Sequence, residues 1–166
     1  MTELTTPISD GEIAKLKVGD TVLISGYILC GRDAVLPRII KMIEEGLDVG
    51  CDLRGQVIFH TAVSPAGVGP TSSNKLEIES SMIPLSKAGV KVHLGKGALH
   101  PETISALGEL NAVYAVIPPV TALLGSKTSE IRVLQFPELG MEALHLIKAD
   151  KYPAIIAGAQ GRSIYE

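Results

Sequence analysis

The 166-residue chain is 46% hydrophobic and 20% charged, with a formal net charge of −3, which suits a single domain with one real core. That charge excludes a broadly basic nucleic-acid face, and an aromatic content of 4% with no Trp leaves few stacking platforms for bases or sugars. Apolar runs break at Gly, Pro or charge well before spanning length, so a soluble protein with no membrane contact is expected.

The opening MTELTTPISDGEIAKLKVGD is polar and partly acidic, with no signal peptide, and residues 1–15 read as an N-terminal extension of one domain spanning 1–166. TVLISGYILC (21–30) reads as a strand. In GRDAVLPRIIKMIEEG, residues Leu36, Ile39, Ile40 and Ile43 fall at helical spacing, Gly46 is the stop, and the start is ambiguous between an Asp33 cap and a first turn at Pro37. QVIFHTAV (56–63) is a second strand, followed directly by GPTSSNK (69–75), and LEIESSMIPLSKAG is helical with Pro84 as an interior break or kink. VKVHLG (90–95) is the next strand, and Pro101 opens a helix through Leu110. AVYAVI (112–117), IRVLQF (131–136), EALHLIKA (142–149) and YPAIIAG (152–158) are strand candidates on short connections. Strand and helix alternate for two-thirds of the chain and strands dominate the rest, which predicts an α/β fold with a mixed sheet flanked by helices.

Three places share one arrangement: a strand ends, a turn carries Gly and a cation, and a helix follows. They are Gly31-Arg32-Asp33, Gly69 to Lys75, and Gly95-Lys96-Gly97. Ligands of α/β sheets collect at the C-terminal ends of strands. Arg32, Lys75 and Lys96, with Thr71, Ser72 and Ser73 as neutral donors, would suit a small polyanion such as a dicarboxylate. Taken singly, each place also fits a local role: an Arg32-Asp33 ion pair at a helix start, a Ser/Thr cap, a solvated lysine. The histidines His60, His93 and His145 sit in strands, with no metal-ligand spacing on one helix face. Cys30 and Cys51 match neither a zinc site nor a disulfide framework, which points to a reducing cytoplasm.

In order, GRDA (31–34), GPTSS (69–73), GKG (95–97) and ELGMEA (138–143) resemble the β subunit of class I fumarases and L-tartrate dehydratases. The same region forms the C-terminal domain of single-chain class I fumarases. The likeness runs from about Leu16 to Gly161. It implies a swivelling β/β/α-type domain and a hydro-lyase that interconverts fumarate and malate, with L-tartrate or another hydroxy-diacid as the alternative substrate. It also implies a [4Fe–4S] cluster on a separate α subunit, since two cysteines are too few to ligate it here. The expected assembly is a hetro-oligomer with that subunit, with self-association of the lone chain left open.

By the same resemblance Arg32 forks onto a substrate carboxylate, Thr71 stands at the catalytic base, Ser72 at a second hydroxyl position, and Lys96 at a carboxylate-binding lysine. Two residues depart from the pattern: Lys75 replaces the usual Arg, losing a planar fork, and Leu36 replaces a histidine. These departures keep a third reading in play, a non-catalytic anion-binding domain on the same scaffold.

Overall fold

The chain opens with β1 (Thr2–Thr5), laid parallel along β2 (Thr21–Cys30). Between them lies α1 (Asp10–Ala14), where the Ser9 hydroxyl accepts from the Glu12 N–H and the Glu12 carboxylate accepts from the Ser9 N–H, a reciprocal cap on a one-turn helix. Then follow α2 (Leu36–Glu44), β3 (Val57–Phe59), β4 (Thr61–Ser64), β5 (Gly67–Thr71) and α3 (Lys75–Lys87). Next come β6 (Val92–Gly95), α4 (Pro101–Glu109), β7 (Val113–Val116), α5 (Thr121–Ser126) and β8 (Thr128–Gln135). A 3-10 segment (Pro137–Glu142) leads into β9 (Leu144–Ala159) and β10 (Arg162–Ser163). This computed structural model describes residues 1–64, 67–71, 75–117 and 121–165, of which 64, 67–71, 75–78 and 121–123 are described in backbone only.

Strands β2, β3, β6 and β7 run parallel in that order. The long β9 is antiparallel to both β7 and β2, so it closes these strands into a five-membered ring. Alternation explains the layers. Ile28, Cys30, Val57, Phe59, Val92, Leu94, Val113 and Ala115 point inward and share one buried cluster with Ile147 and Ile156 of β9. The intervening Leu29 and Ile58 point outward and are covered by Leu36 and Ile39 of α2 and Leu85 of α3. Tyr114 points outward from β7 and meets Ile104 and Leu107 of α4. The α/β class and the mixed, helix-flanked sheet match the sequence expectation. No helix among the described residues is long and apolar enough to cross a membrane.

Of the two starts open for α2, the first turn at Pro37 is the one found: Val35 stands at the N-cap and no side chain caps the helix. Four local expectations need correction. The 56–63 run is not one strand: β3 ends at Phe59 and β4 starts at Thr61, pairing only with β5 in a separate hairpin. Gly69, Pro70 and Thr71 are therefore strand residues of β5 rather than the turn after β3. The 142–149 and 152–158 candidates are one 16-residue strand, in which Lys151 takes a left-handed φ of 54° opposite an irregularity between Ile24 and Gly26 of β2. Helix α3 runs through Pro84 to Lys87 without stopping.

Candidate functional site

One register row sets the site. Cys30 is paired with Phe59, Phe59 with Leu94, and Leu94 with Ala115 across four parallel strands. Arg32 lies two residues beyond Cys30 and Lys96 two residues beyond Leu94, so both leave the same C-terminal edge. Between them, Thr61 lies two residues beyond Phe59, and its partner across the hairpin is Thr71. Two strand spacings separate the β2 and β6 ends, roughly 10 Å, within reach of two long side chains. The structure thus brings the backbones of Arg32, Thr71 and Lys96 to one edge. Lys75 opens α3; its side chain and that of Thr71, like Ser72, Ser73 and Asn74 as a whole, lie outside the described residues.

Gly31 makes the first turn. A Cβ there would sit 2.8 Å from Val35 Cγ1 and 3.2 Å from Leu36 Cδ2, so a larger residue would push α2 off the strand end. The Arg32 carbonyl then accepts from the N–H groups of Val35 and Leu36, tightening the chain into α2. Leu36, where the family pattern has histidine, is 1% exposed and belongs to the core under α2. The Arg32 guanidinium meets a partner that sequence reading did not assign. Its Nε donates to Glu142 Oε1 (3.1 Å) and Oε2 (2.8 Å), and its Nη2 lies 2.8 Å from Oε2, with both side chains 28% exposed.

The second turn is held from below. Gly95 leaves room for the Tyr114 ring, whose Cε1 and hydroxyl oxygen would each stand 3.3 Å from a Cβ at that position. The Tyr114 hydroxyl donates to the Gly97 carbonyl at 2.9 Å, and Gly97 adopts a left-handed φ of 76°. Burial pushes the Tyr114 phenol well above its ordinary value, so it stays a neutral donor. Farther along, Glu79 of α3 accepts from the His100 N–H (2.9 Å) and meets His100 Nδ1 at 2.6 Å, tying the start of α4 to α3. Burial raises the Glu79 carboxyl, but hydrogen bonds from Thr103 and His100 outweigh it and hold the pKa below its usual value. Lys96 is exposed on a turn whose two flanking glycines are fixed by Tyr114.

Beneath the edge lies a buried polar line. His60 Nε2 is 3.0 Å from His93 Nδ1, and His93 Nε2 is 2.8 Å from the Ser86 hydroxyl, with both rings fully buried. Among the described residues His60 Nδ1 has no hydrogen-bond partner. Burial drives the His60 pKa down to about 3, and burial followed by the neighbouring His60 charge drives His93 well below its usual value. Both rings are therefore neutral at ordinary pH. Neither was assigned a shared role from sequence, because strand register alone makes them neighbours.

An iron–sulfur cluster does not fit the donors of this chain. Among the described residues no three His, Cys, Asp or Glu side chains gather into a metal site. Cys30 points into the barrel interior, and burial pushes its thiol far above the usual range. Cys51 lies in the α2–β3 connection, and burial, then Asp52 and Asp48, raises its thiol too. Thiolate ligands are what such a cluster requires.

Comparison with known proteins bears on this edge. The profile of the family described as "Fumarase C-terminus" matches residues 1–166. The L(+)-tartrate dehydratase subunit beta of Escherichia coli (strain K12) is 29% identical over 165 residues, covering 92% of this chain and 80% of that protein. A putative L(+)-tartrate dehydratase subunit beta of Methanocaldococcus jannaschii is 30% identical, covering 93% of this chain and 86% of its own length. A putative fumarate hydratase class I of Geobacillus stearothermophilus is 28% identical over 98% of this chain, which corresponds to only 33% of that longer protein.

Proposed function

The chain belongs to the Fumarase C-terminus family, and on that premise we propose that it is the β-type subunit of a hydro-lyase that interconverts fumarate and malate. The observation that carries this reading is the single register row behind Arg32, Thr71 and Lys96. Two cations with a hydroxyl residue between them are what a diacid undergoing proton loss next to a carboxylate needs. Arg32 binds that carboxylate by a planar fork. As the proton leaves, negative charge moves onto the carboxylate oxygens, and in this reading the Arg32 and Lys96 cations stabilise it. Thr71 takes the proton as its alkoxide and becomes a neutral hydroxyl, which requires a cation beside it that lowers its pKa, the part given to Lys96. The substrate C–O bond then breaks and the hydroxide leaves, a departure for which the cluster held by the partner subunit would supply the Lewis acid. Ser72 and Lys75 complete the substrate seat.

The partner is an α subunit that carries the [4Fe–4S] cluster, in keeping with relatives named subunit beta and with the longer chain of the class I fumarate hydratase. Ile131, Val133 and Met141, 44%, 45% and 53% exposed, form an apolar strip beside the Glu142 end of the edge that suits a covering subunit. Two free cysteines fit the reducing cytoplasm. Residues 1–166 act as one domain in this reading.

Tartrate dehydration is the second reading, favoured by the names of two of the relatives. Steady-state rates of the assembled enzyme with fumarate, mesaconate and L-tartrate separate the two. A kcat/KM at least about tenfold higher for fumarate than for tartrate is expected, a difference of about 1.4 kcal/mol in transition-state binding. The reverse order assigns the enzyme to tartrate, and no turnover of any of the three overturns the hydro-lyase reading.

A further inference from the structure

We propose that Glu142 is a positioning residue for substrate binding, acting through Arg32; this rests on the hydro-lyase reading above. The two residues are 110 positions apart and meet side-on, with Nε and Nη2 of Arg32 both engaged by one carboxylate. A guanidinium has five N–H donors in a rigid plane, and this contact uses the Nε hydrogen and one on Nη2. A side-on fork therefore sets the plane of the group and turns its end-on edge away from Glu142, which a single point contact would not do.

Glu142 is itself held in place. Gly140 breaks the 3-10 segment with φ 60° and ψ −122°, and Ala143 then turns extended into β9. Ala143 and Leu144 are each 1% exposed, and His145 Nδ1 lies 3.0 Å from the Ala143 carbonyl. The carboxylate thus projects from two residues before the buried start of β9, with only the buried Ala143 between. Its partner projects from the end of β2, the strand to which β9 is paired through Cys30 and His145. Two rigid strand ends clamp one flexible side chain, so a diacid meets an arginine whose orientation is already set.

Two other roles make different predictions. A carboxylate that merely competed with substrate for Arg32 would weaken binding, so its removal would lower KM. A merely structural ion pair would affect melting and leave kinetics alone. The test uses the assembled enzyme with Glu142→Gln and Glu142→Asp, alone and on an Arg32→Ala background. Glu142→Gln is expected to reduce kcat/KM for the preferred diacid about tenfold to a hundredfold, mostly through a higher KM, with the melting temperature within a few degrees of wild type. Glu142→Asp recovers part of the loss, and on the Arg32→Ala background neither change has a further effect. A lower KM, unchanged kinetics, or full additivity with Arg32→Ala overturns the proposal. Succinate binding by calorimetry supplies a readout separate from turnover. If the wild-type assembly turns over no diacid, the hydro-lyase reading fails; succinate binding weakened by Glu142→Gln still supports the positioning role, and unchanged binding overturns it.

Discussion

Replacing Arg32 by alanine should lower kcat/KM of the assembled enzyme about a hundredfold to a thousandfold, the usual loss when one preorganised donor to a developing anion is removed. The fold should survive. Arg32 is 28% exposed and its ion pair with Glu142 reaches solvent, so the contact contributes little to stability. Arg32→Lys keeps the charge and loses the fork, and about a tenfold loss is expected from that variant. Steady-state kinetics beside a thermal melt check both. Wild-type activity in Arg32→Ala would mean that this edge binds no substrate carboxylate.

Acid should unfold the protein through two histidines before its carboxylates titrate. The folded pKa of His60 is about 3, and His93 is also well below its usual value, whereas both rings titrate near 6.5 in the unfolded chain. Between those values the unfolded chain binds protons that the native chain refuses, so stability falls as pH falls through this window and is flat above it. His60 contributes a slope approaching about 1.4 kcal/mol per pH unit once pH is well below 6.5, or about 2 kcal/mol by pH 5, and His93 adds to it in the same direction. Denaturant melts at pH 8, 7, 6 and 5 would measure this above the range where ordinary carboxylates titrate. A midpoint that does not move between pH 7 and 5 would contradict burial of both rings.

Much of this molecule could be read locally. The strand before Gly31, the α2 stop at Gly46 and the α4 start at Pro101 each carry a turn residue at the place where the element ends or begins. The three Gly-and-cation places are visible for the same reason, and Arg32, Thr71 and Lys96 stand out in the sequence without the register row. What escaped was set by distant pairing. Nothing in VIFHTAV marks the break at His60, because β-branched and apolar residues continue on both sides while the partner strand changes from β6 to β5. Asp150 and Lys151 fall in the short connection expected between two strands, and Lys151 does take a left-handed conformation. Pairing with β2, and the matching irregularity around Gly26, carries the strand through it. Glu142 lay within a motif already noted, but its partner is 110 residues away. The His60–His93 contact likewise exists only because β3 and β6 are parallel neighbours.

The most direct measurement is anaerobic purification of this chain from its native host, followed by iron analysis and assay of fumarate hydration on the same sample. A cysteine-rich partner, bound iron and turnover of fumarate in the same fraction are the predicted result. A lone chain with no iron and no activity toward fumarate or tartrate, from cells that express it well, would contradict it. The edge bearing Arg32 and Lys96 would then be an anion-binding surface without catalysis.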